Sequence, residues 1–343
     1  MAEIRVVQYG LGSIGQELAK LVTRRPGLSL VGGIDIAPEL VGLELGELLG
    51  LESAPTLISD DAEGVLARSK PDIVLHATGS SLEKVAPQIE LAIKQGASIV
   101  STCEELVWPF TRYPELSKRL DQLARQRGVS ALGAGVNPGF VMDKLAITLM
   151  GACQEVRGVQ IDRVVDAARR REPLQRKVGA GLSVAAFEEL VAAGKVRHVG
   201  LTESAYMVSS VLGFKEVVVT EDIRPIIAEQ DMRTNYLTVH RGEVAGIEQI
   251  ATVMADSEEE ARLRLRMYVG AEEFDHIAID GVPPIHMTIV GGVHGDRATA
   301  AVVVNCIPAV LDADQVFARW WRSPFIIGTI SQIALANDPV MHG

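Results

Sequence analysis

Four short stretches carry residue types that do chemistry, and each one ends what reads as a strand. The first is Gly10-Leu11-Gly12-Ser13-Ile14-Gly15. Its glycine spacing suits a turn that cradles the phosphates of a dinucleotide. Gly10 permits the sharp turn, Gly12 lets the backbone approach a pyrophosphate, and Gly15 lets the following helix pack close to the strand. The amides from Leu11 to Ile14 then face the phosphates with the positive end of the helix dipole. The spacing alone is weak, and a βα turn without a ligand competes with it. Context favours the cofactor: a strand precedes the turn, a helix follows it, and Asp35 lies about twenty residues on. Asp35 would accept hydrogen bonds from the adenosine ribose and repel a 2′-phosphate, which tilts the expectation towards NAD. An ordinary strand-end acid is the alternative, and a loop from Ile36 onward leaves NADP open.

The second stretch, His76-Ala77-Thr78-Gly79-Ser80-Ser81, offers small residues. Thr78, Gly79 and Ser80 suit a ribose or a nicotinamide edge, and a simple turn is the competing reading. The third is Ser101-Thr102-Cys103-Glu104-Glu105-Leu106. Two adjacent carboxylates at the mouth of an apolar sheet can hold an ammonium or iminium group, or take a proton from an amine or an attacking water. Alcohol oxidation more often uses Lys or His, so a glutamate here points to a C–N substrate. Two surface acids in a loop are the alternative. Cys103, just before the pair, counts among the expected cofactor contacts. The fourth stretch runs from Gly133 to Phe140. Asn137, with Pro138 behind it, is placed to meet the nicotinamide carboxamide or the substrate, and Phe140 to wall a substrate pocket. A plain interdomain hinge would look the same.

These stretches need elements to hold them. Ile4 to Tyr9, Leu28 to Asp35, Asp72 to Thr78, Ser98 to Thr102 and Val129 to Leu132 read as strands. Ser13 to Arg24, Asp61 to Arg68, Glu83 to Gln95 and Pro114 to Arg127 read as helices between them. This alternation implies parallel βαβ units in an open sheet covered on both faces, a Rossmann dinucleotide-binding domain over residues 1–143. The pattern changes after Asp143. Leu145 to Gly151, Leu182 to Ala193 and Thr202 to Leu212 read as helices. Gly158 to Val165, Glu216 to Thr220, Gly246 to Met254, Arg262 to Val269, His276 to Ile279 and Ile285 to Val290 read as strands of a mixed or antiparallel sheet with one face on helices. Residues 144–343 are thus expected to form a second, α+β domain. The segment from Ala298 could return to either domain.

Bulk properties narrow the field. A chain of 343 residues suits two domains, and 48% hydrophobic residues with 4% aromatics imply cores of Val, Ile, Leu and Ala. A net charge of −11 argues against nucleic acid and anionic membrane surfaces as partners. Cys103, Cys153 and Cys306 are too scattered for a disulfide framework or a zinc site, and the histidines at 76, 240, 276, 286 and 294 lack ligand spacing, so no metal is expected. No apolar run is long enough to span a bilayer and no basic segment precedes a long apolar one at the N-terminus. A cytoplasmic enzyme is expected.

Several segments together resemble the dihydrodipicolinate-reductase-like group that contains 2,4-diaminopentanoate dehydrogenase and the NAD(P)-dependent amine dehydrogenases. They are Val7-Gln8-Tyr9-Gly10-Leu11-Gly12, the run from Ser101 to Leu106 with Trp108-Pro109 behind it, and Gly135-Val136-Asn137-Pro138-Gly139-Phe140. Arg163 to Gly181, His198-Val199-Gly200-Leu201 with Glu203-Ser204, and Thr299 to Pro308 agree. The resemblance implies a Rossmann domain plus an open-faced α+β domain over residues 144–343 for substrate binding and dimerisation, NAD or NADP as cofactor, and a homodimer. It implies reversible oxidative deamination of a primary amine, which in reverse is reductive amination of a ketone or aldehyde with ammonia. The family's catalytic glutamate falls on Glu104, with Glu105 as fallback. The resemblance also adds Asn305 to the cofactor contacts and Arg163 and His198 to the substrate contacts. Arg163, Arg169 to Arg171, Arg176 and Lys177 would serve a substrate carboxylate, or else form a solvated basic loop.

Rival functions keep the same cofactor turn. One is 2,4-diaminopentanoate dehydrogenase proper. Another is an imine reductase of the dihydrodipicolinate type, whose segment with paired histidines and a lysine is not found. A third is a non-catalytic NAD sensor, which would not need Glu104 at the strand mouth.

Overall fold

The computed structural model describes residues 3–51, 56–213, 216–255 and 258–313. They divide into two compact units.

The first unit holds the doubly wound parallel sheet. Its strands are β1 (Ile4–Tyr9), β2 (Leu28–Ile34), β3 (Ile58–Ser59), β4 (Ile73–His76), β5 (Ser98–Ser101) and β6 (Ala131–Gly133), in the order β3-β2-β1-β4-β5-β6. All are parallel. The connecting helices are α1 (Ser13–Thr23), α2 (Leu45–Leu49), α3 (Ala62–Ser69), α4 (Leu82–Lys94) and α5 (Pro114–Arg127). Local chemistry sets their ends. Asp61 caps α3 by accepting from the Gly64 amide at 2.9 Å. Pro114 opens α5, and Gly128 closes it at φ +69°.

Because strand side chains alternate, each strand feeds two cores. Val7, Val74 and Ile99 pack against α3, α4 and α5. Val6, Ile73, Leu75, Val100 and Leu132 face the other way, where Leu18 and Val22 of α1 cover them. Two helices from the far end of the described chain complete that second face. They are α10 (Gly295–Asn305) and α11 (Ile307–Asp312), which bury Val303, Val304, Ile307 and Val310. At about 1.5–3 kcal/mol for each fully buried aliphatic side chain, this burial accounts for the return of the segment to the first sheet.

The second unit begins with α6 (Lys144–Met150) and is built on a six-stranded mixed sheet. Its strands are β7 (Glu155–Asp166), β8 (Val217–Ile227), β11 (Val244–Ala255), β12 (Glu258–Tyr268), β13 (Phe274–Val282) and β14 (Ile285–Val290), in the order β14-β13-β7-β12-β11-β8. Only β7 and β12 run parallel. The short pair β9 (Met232–Arg233) and β10 (Thr238–Val239) stands apart. Helices α6, α8 (Val184–Ala192) and α9 (Leu201–Leu212) pack on one face, and α7 (Glu172–Lys177) follows β7. Ile161, Ile247, Leu263, Leu265, Ile277 and Ile279 fill that face, while Arg262, Thr220 and His286 stand exposed on the other. The expected one-sided sheet is therefore present. Strands β7, β8 and β12 run several residues beyond the sequence expectation, because their charged residues alternate outward and mask the apolar pattern.

Candidate active site

Since β1, β2, β4, β5 and β6 are parallel, whatever follows each one gathers along a single carboxyl edge. Sheet order sets the sequence along that edge: Asp35 after β2, Gly10–Gly15 after β1, Thr78–Ser80 after β4, Glu104 after β5 and Asn137 after β6. The chain winds outward from β1 on one side and returns to β4 on the other, so the glycine turn lies at the switch point where such sheets bind ligands.

The turn is held from several sides. Gly10 has φ +89°, and a Cβ there would lie 2.5 Å from the Ala77 carbonyl oxygen. A Cβ on Gly15 would lie 1.8 Å from the Gly10 oxygen. Both positions therefore need glycine for internal reasons. Gly12 does not: its φ of −63° suits any residue, and an added Cβ would meet nothing within 4 Å. The open cradle there matches a turn that admits a phosphate. Gly12 also heads α1 without a side-chain cap, leaving the Ser13 and Ile14 amides pointed outward with no acceptor within the described residues.

Two glutamines that the sequence reading overlooked brace this turn. Gln8, buried in β1, donates to the Gly10 oxygen at 2.9 Å, and Gln16 donates to the Leu11 oxygen at 2.9 Å. The signal was a polar residue inside an otherwise apolar parallel strand. Asp35 accepts from the Leu11 amide at 2.6 Å and the Ala37 amide at 2.8 Å, one on each oxygen. A carboxylate has about four acceptor sites, so half remain for a ribose.

Behind Thr78 lies a buried network. The His76 ring contacts Ser101 Oγ through Nδ1 (2.7 Å) and Gln88 Oε1 through Nε2 (2.8 Å), and Thr78 donates to the same Gln88 oxygen at 2.5 Å. Burial holds the imidazole neutral, lowering its pKa to about 4. Ser101 Oγ in turn accepts from the Cys103 amide at 3.0 Å. This ties the ends of β4 and β5 together.

The paired acids part company. Glu105 is buried and fully engaged: Oε2 accepts from the Leu82 amide (2.8 Å) and the Tyr113 hydroxyl (2.8 Å), and Oε1 meets Arg112 Nη1 at 2.8 Å. Glu104 is half-buried at the start of the single 3₁₀ turn Glu104–Leu106. Cys103 is turned inward, its thiol donating to the Ser80 oxygen at 3.2 Å. Burial and the adjacent glutamates push its pKa up to about 12. The expected cofactor contact at Cys103 is thereby restricted to backbone.

After β6, the Ala134 amide donates to the Ser101 oxygen (2.8 Å) and the Val136 amide to Thr299 Oγ1 (3.2 Å). Gly139, at φ +119°, lets the turn close on Gly135. Asn137 is left with its Oδ1 buried and without a hydrogen-bond partner. Such an orphaned acceptor is costly unless a ligand donor meets it, and a nicotinamide carboxamide has such a donor. Pro138 is buried beside it, and Phe140 is half-buried after the turn.

Three expected contacts need correction or qualification. Asn305 sits at the end of α10 and accepts from Arg25 Nη2 at 2.9 Å. Arg25 lies beyond the C-terminus of α1, at the sheet edge opposite the glycine turn, so Asn305 is not brought to the site. Arg163 is buried on β7. Its Nη1 meets Asp275 Oδ1 at 2.7 Å and its Nη2 the Val293 oxygen at 2.7 Å. The two acidic and basic partners face each other in the β7–β13 register, so the guanidinium is committed to the second unit's sheet and not to a substrate. His198 is the third. Its backbone amide and carbonyl both bond the buried Gln249 side chain at 2.8 Å. Its Nδ1 is buried and unpartnered, and desolvation with nearby Lys177, Arg163 and Arg197 lowers its pKa to about 3. It is a neutral acceptor, not a proton carrier at neutral pH. Of the remaining basic residues of that stretch, Arg169 pairs with Asp166 and Glu273, and Arg176 with Glu172. Among the described residues no group of His, Cys, Asp or Glu could hold a metal ion, and no helix is long and apolar enough to cross a membrane.

Comparison with known proteins agrees with this layout. Residues 140–332 match the family model described as 2,4-diaminopentanoate dehydrogenase C-terminal domain, and residues 4–103 match the dihydrodipicolinate reductase N-terminus. The chain is 30% identical over 334 residues to a 2,4-diaminopentanoate dehydrogenase of Acetoanaerobium sticklandii, covering 91% of each. It is 25% identical to a 4-hydroxy-tetrahydrodipicolinate reductase of Moorella thermoacetica, covering 64% of this chain and 82% of that one. Among solved structures, an amine dehydrogenase from Mycobacterium smegmatis aligns with a TM-score of 0.82 at 27% identity, covering 96% of this chain and 98% of that one.

Proposed function

The chain belongs to the 2,4-diaminopentanoate dehydrogenase family, and from that premise we propose that it reversibly deaminates a primary amine with a nicotinamide dinucleotide, Glu104 being the catalytic carboxylate. It is an oxidoreductase of the amine dehydrogenase kind. The observation that carries the assignment is the place of Glu104, half-buried at the mouth of β5 and between Thr78–Ser80 and Asn137 along the carboxyl edge. Glu105 is buried, with its carboxylate bonded to Leu82, Tyr113 and Arg112.

When bound, the dinucleotide accepts a hydride from the carbon that bears the amine. The protein does the rest. The Ser13 and Ile14 amides and the α1 dipole would hold the pyrophosphate. Asp35 would accept from the adenosine ribose, Thr78, Gly79 and Ser80 would serve the second ribose, and Asn137 Oδ1 would accept from the carboxamide. The Glu104 carboxylate stabilises the positive charge that develops on the C–N group and takes a proton from the water that adds to that carbon. Collapse releases ammonia. The balance is amine, water and oxidised cofactor to carbonyl compound, ammonia, reduced cofactor and a proton.

Two features support NAD over NADP. Asp35 puts a negative charge where a 2′-phosphate would lie, and Ile36-Ala37-Pro38-Glu39 supplies no cation but a second acid. We take the second unit to supply substrate contacts and the interface of a homodimer, and the enzyme to work in the cytoplasm, where Cys103 and Cys306 stay as buried free thiols.

A spectrophotometric panel tests the reading. Amines with and without carboxylates, tried with NAD+ and NADP+, should reduce the cofactor, and aldehydes or ketones with ammonia should oxidise NADH. Oxidation of reduced cofactor only by cyclic imines would make the chain a reductase of the dihydrodipicolinate type. Cofactor binding with no turnover on any of these would make it a sensor.

A further inference from the structure

Adjacent carboxylates on one short turn present an electrostatic problem, because each negative charge repels the other. The turn Glu104–Leu106 solves it through Glu105. That side chain is 5% exposed and receives three donors: the Leu82 amide, which is the first residue of the thirteen-residue helix α4, the Tyr113 hydroxyl, and the Arg112 guanidinium. Arg112 also lies over the Tyr113 ring, 5.4 Å from its centroid, which fixes the guanidinium although its side chain is half exposed.

These contacts do two things. They neutralise Glu105 with one full positive charge and a helix N-terminus. They also fasten the turn to the segments that lead into α4 and α5, and the Glu105 amide and the Cys103 thiol add bonds to the Ser80 oxygen, at 3.4 and 3.2 Å. Gly133 completes the seat, because a Cβ there would come within 2.6 Å of the Leu106 backbone.

We propose that Arg112, acting through Glu105, is a positioning and charge-compensating residue for the reaction, leaving the carboxylate of Glu104 ionised at the mouth of β5. This rests on Glu104 being the catalytic carboxylate. The other groups on the packed elements do not substitute for Arg112. Helix α4 brings Glu83 and Lys84, opposite in sign and both exposed in its first turn. Strand β6 brings no ionisable side chain. The segment before α5 brings Tyr113, whose pKa burial and Glu105 raise to about 12, and α5 adds Glu115. Cys103 stays protonated throughout the working range.

The test is the dependence of kcat on pH in the full-length enzyme, followed by amine-dependent NAD+ reduction. Arg112→Gln leaves Glu105 uncompensated beside Glu104, so the acid limb should move up by about half a pH unit or more, and raised salt should shrink the shift. Arg112→Lys should return most of it. Glu105→Gln leaves the cation without its acid, so the limb should move down. NADH affinity by nicotinamide fluorescence should stay within about threefold in all three. Opposite displacements are the signature, because a merely structural loss lowers kcat at every pH and displaces neither limb. Limbs that stay put, or that move in the same direction, overturn the inference. Glu104→Gln separates the two layers. If it keeps full activity, the catalytic assignment falls; if it is inactive while the limbs stay put, only the role of Arg112 falls.

Discussion

Gly12→Ala and Gly15→Ala should have opposite effects, although both remove a glycine from the same turn. At Gly15 the new Cβ would sit 1.8 Å from the Gly10 carbonyl oxygen and 2.8 Å from its carbon, and real Cβ contacts essentially never fall under 3.0 Å. Both neighbours are backbone, so α1 has to retreat from β1 by more than an ångström. Overpacking of this kind costs about 1–3 kcal/mol, and the helix preference of alanine returns at most about 1. A 1.8 Å clash with backbone belongs at the top of that range, so a net loss of about 2 kcal/mol in stability is expected, with cofactor affinity falling as the helix moves. At Gly12 the Cβ meets no protein atom within 4 Å and the backbone is ordinary. Stability should change by less than about 1 kcal/mol, the difference between Gly and Ala at a helix cap. The same methyl occupies the cradle for the pyrophosphate, so the dissociation constant for NADH should rise at least about tenfold, or 1.4 kcal/mol. Thermal melts and NADH fluorescence titrations read both quantities. Wild-type NADH affinity in a folded Gly12→Ala variant would refute the placement of the phosphates, and an unchanged melting temperature in Gly15→Ala would refute the packing argument.

Three further outcomes follow from the same geometry. Arg163 and Asp275 form a buried pair in which burial lowers the arginine pKa and raises that of the acid, so Asp275→Asn should cost about 3–5 kcal/mol by stranding a charge, while the double variant Arg163→Met with Asp275→Leu should cost much less; denaturant melts with equal losses in both would contradict this. The His76 pKa of about 4 lies below the ordinary 6.5, so the unfolded chain takes up that proton first: stability is full above about pH 6.5 and falls as pH drops from there towards 4. His76→Gln should flatten that part of the melting-temperature profile, and an identical slope would count against the burial argument. Asp35→Ser should raise kcat/KM for NADP+ relative to NAD+ by about tenfold or more, and an unchanged ratio would show that Asp35 does not select the cofactor.

The carboxyl-edge residues were legible in the sequence because the parallel βαβ alternation fixes where strands end. Gly10–Gly15, Asp35, Thr78–Ser80, Glu104 and Asn137 needed only the strand assignments to be brought to one edge. What was not legible depended on partners remote in sequence. Glu104 and Glu105 look alike until Leu82, Tyr113 and Arg112 are seen to converge on one of them. Arg163 looked free because Asp275, its partner, is 112 residues away across the β7–β13 ladder. Asn305 looked like a cofactor ligand until the packing of α10 against α1 brought it to Arg25. Short elements such as α2 and β3 escaped because two to five residues show no period. The return of α10 and α11 to the first sheet could not be read locally, since their apolar residues would suit either core.

The most direct test of the central claim is single-turnover hydride transfer to NAD+ from an accepted amine, measured by stopped flow in Glu104→Gln beside wild type. The account predicts unchanged NAD+ affinity and melting temperature with turnover down by on the order of a hundredfold or more. Turnover within a few-fold of wild type, in a folded variant that binds NAD+ normally, would contradict it.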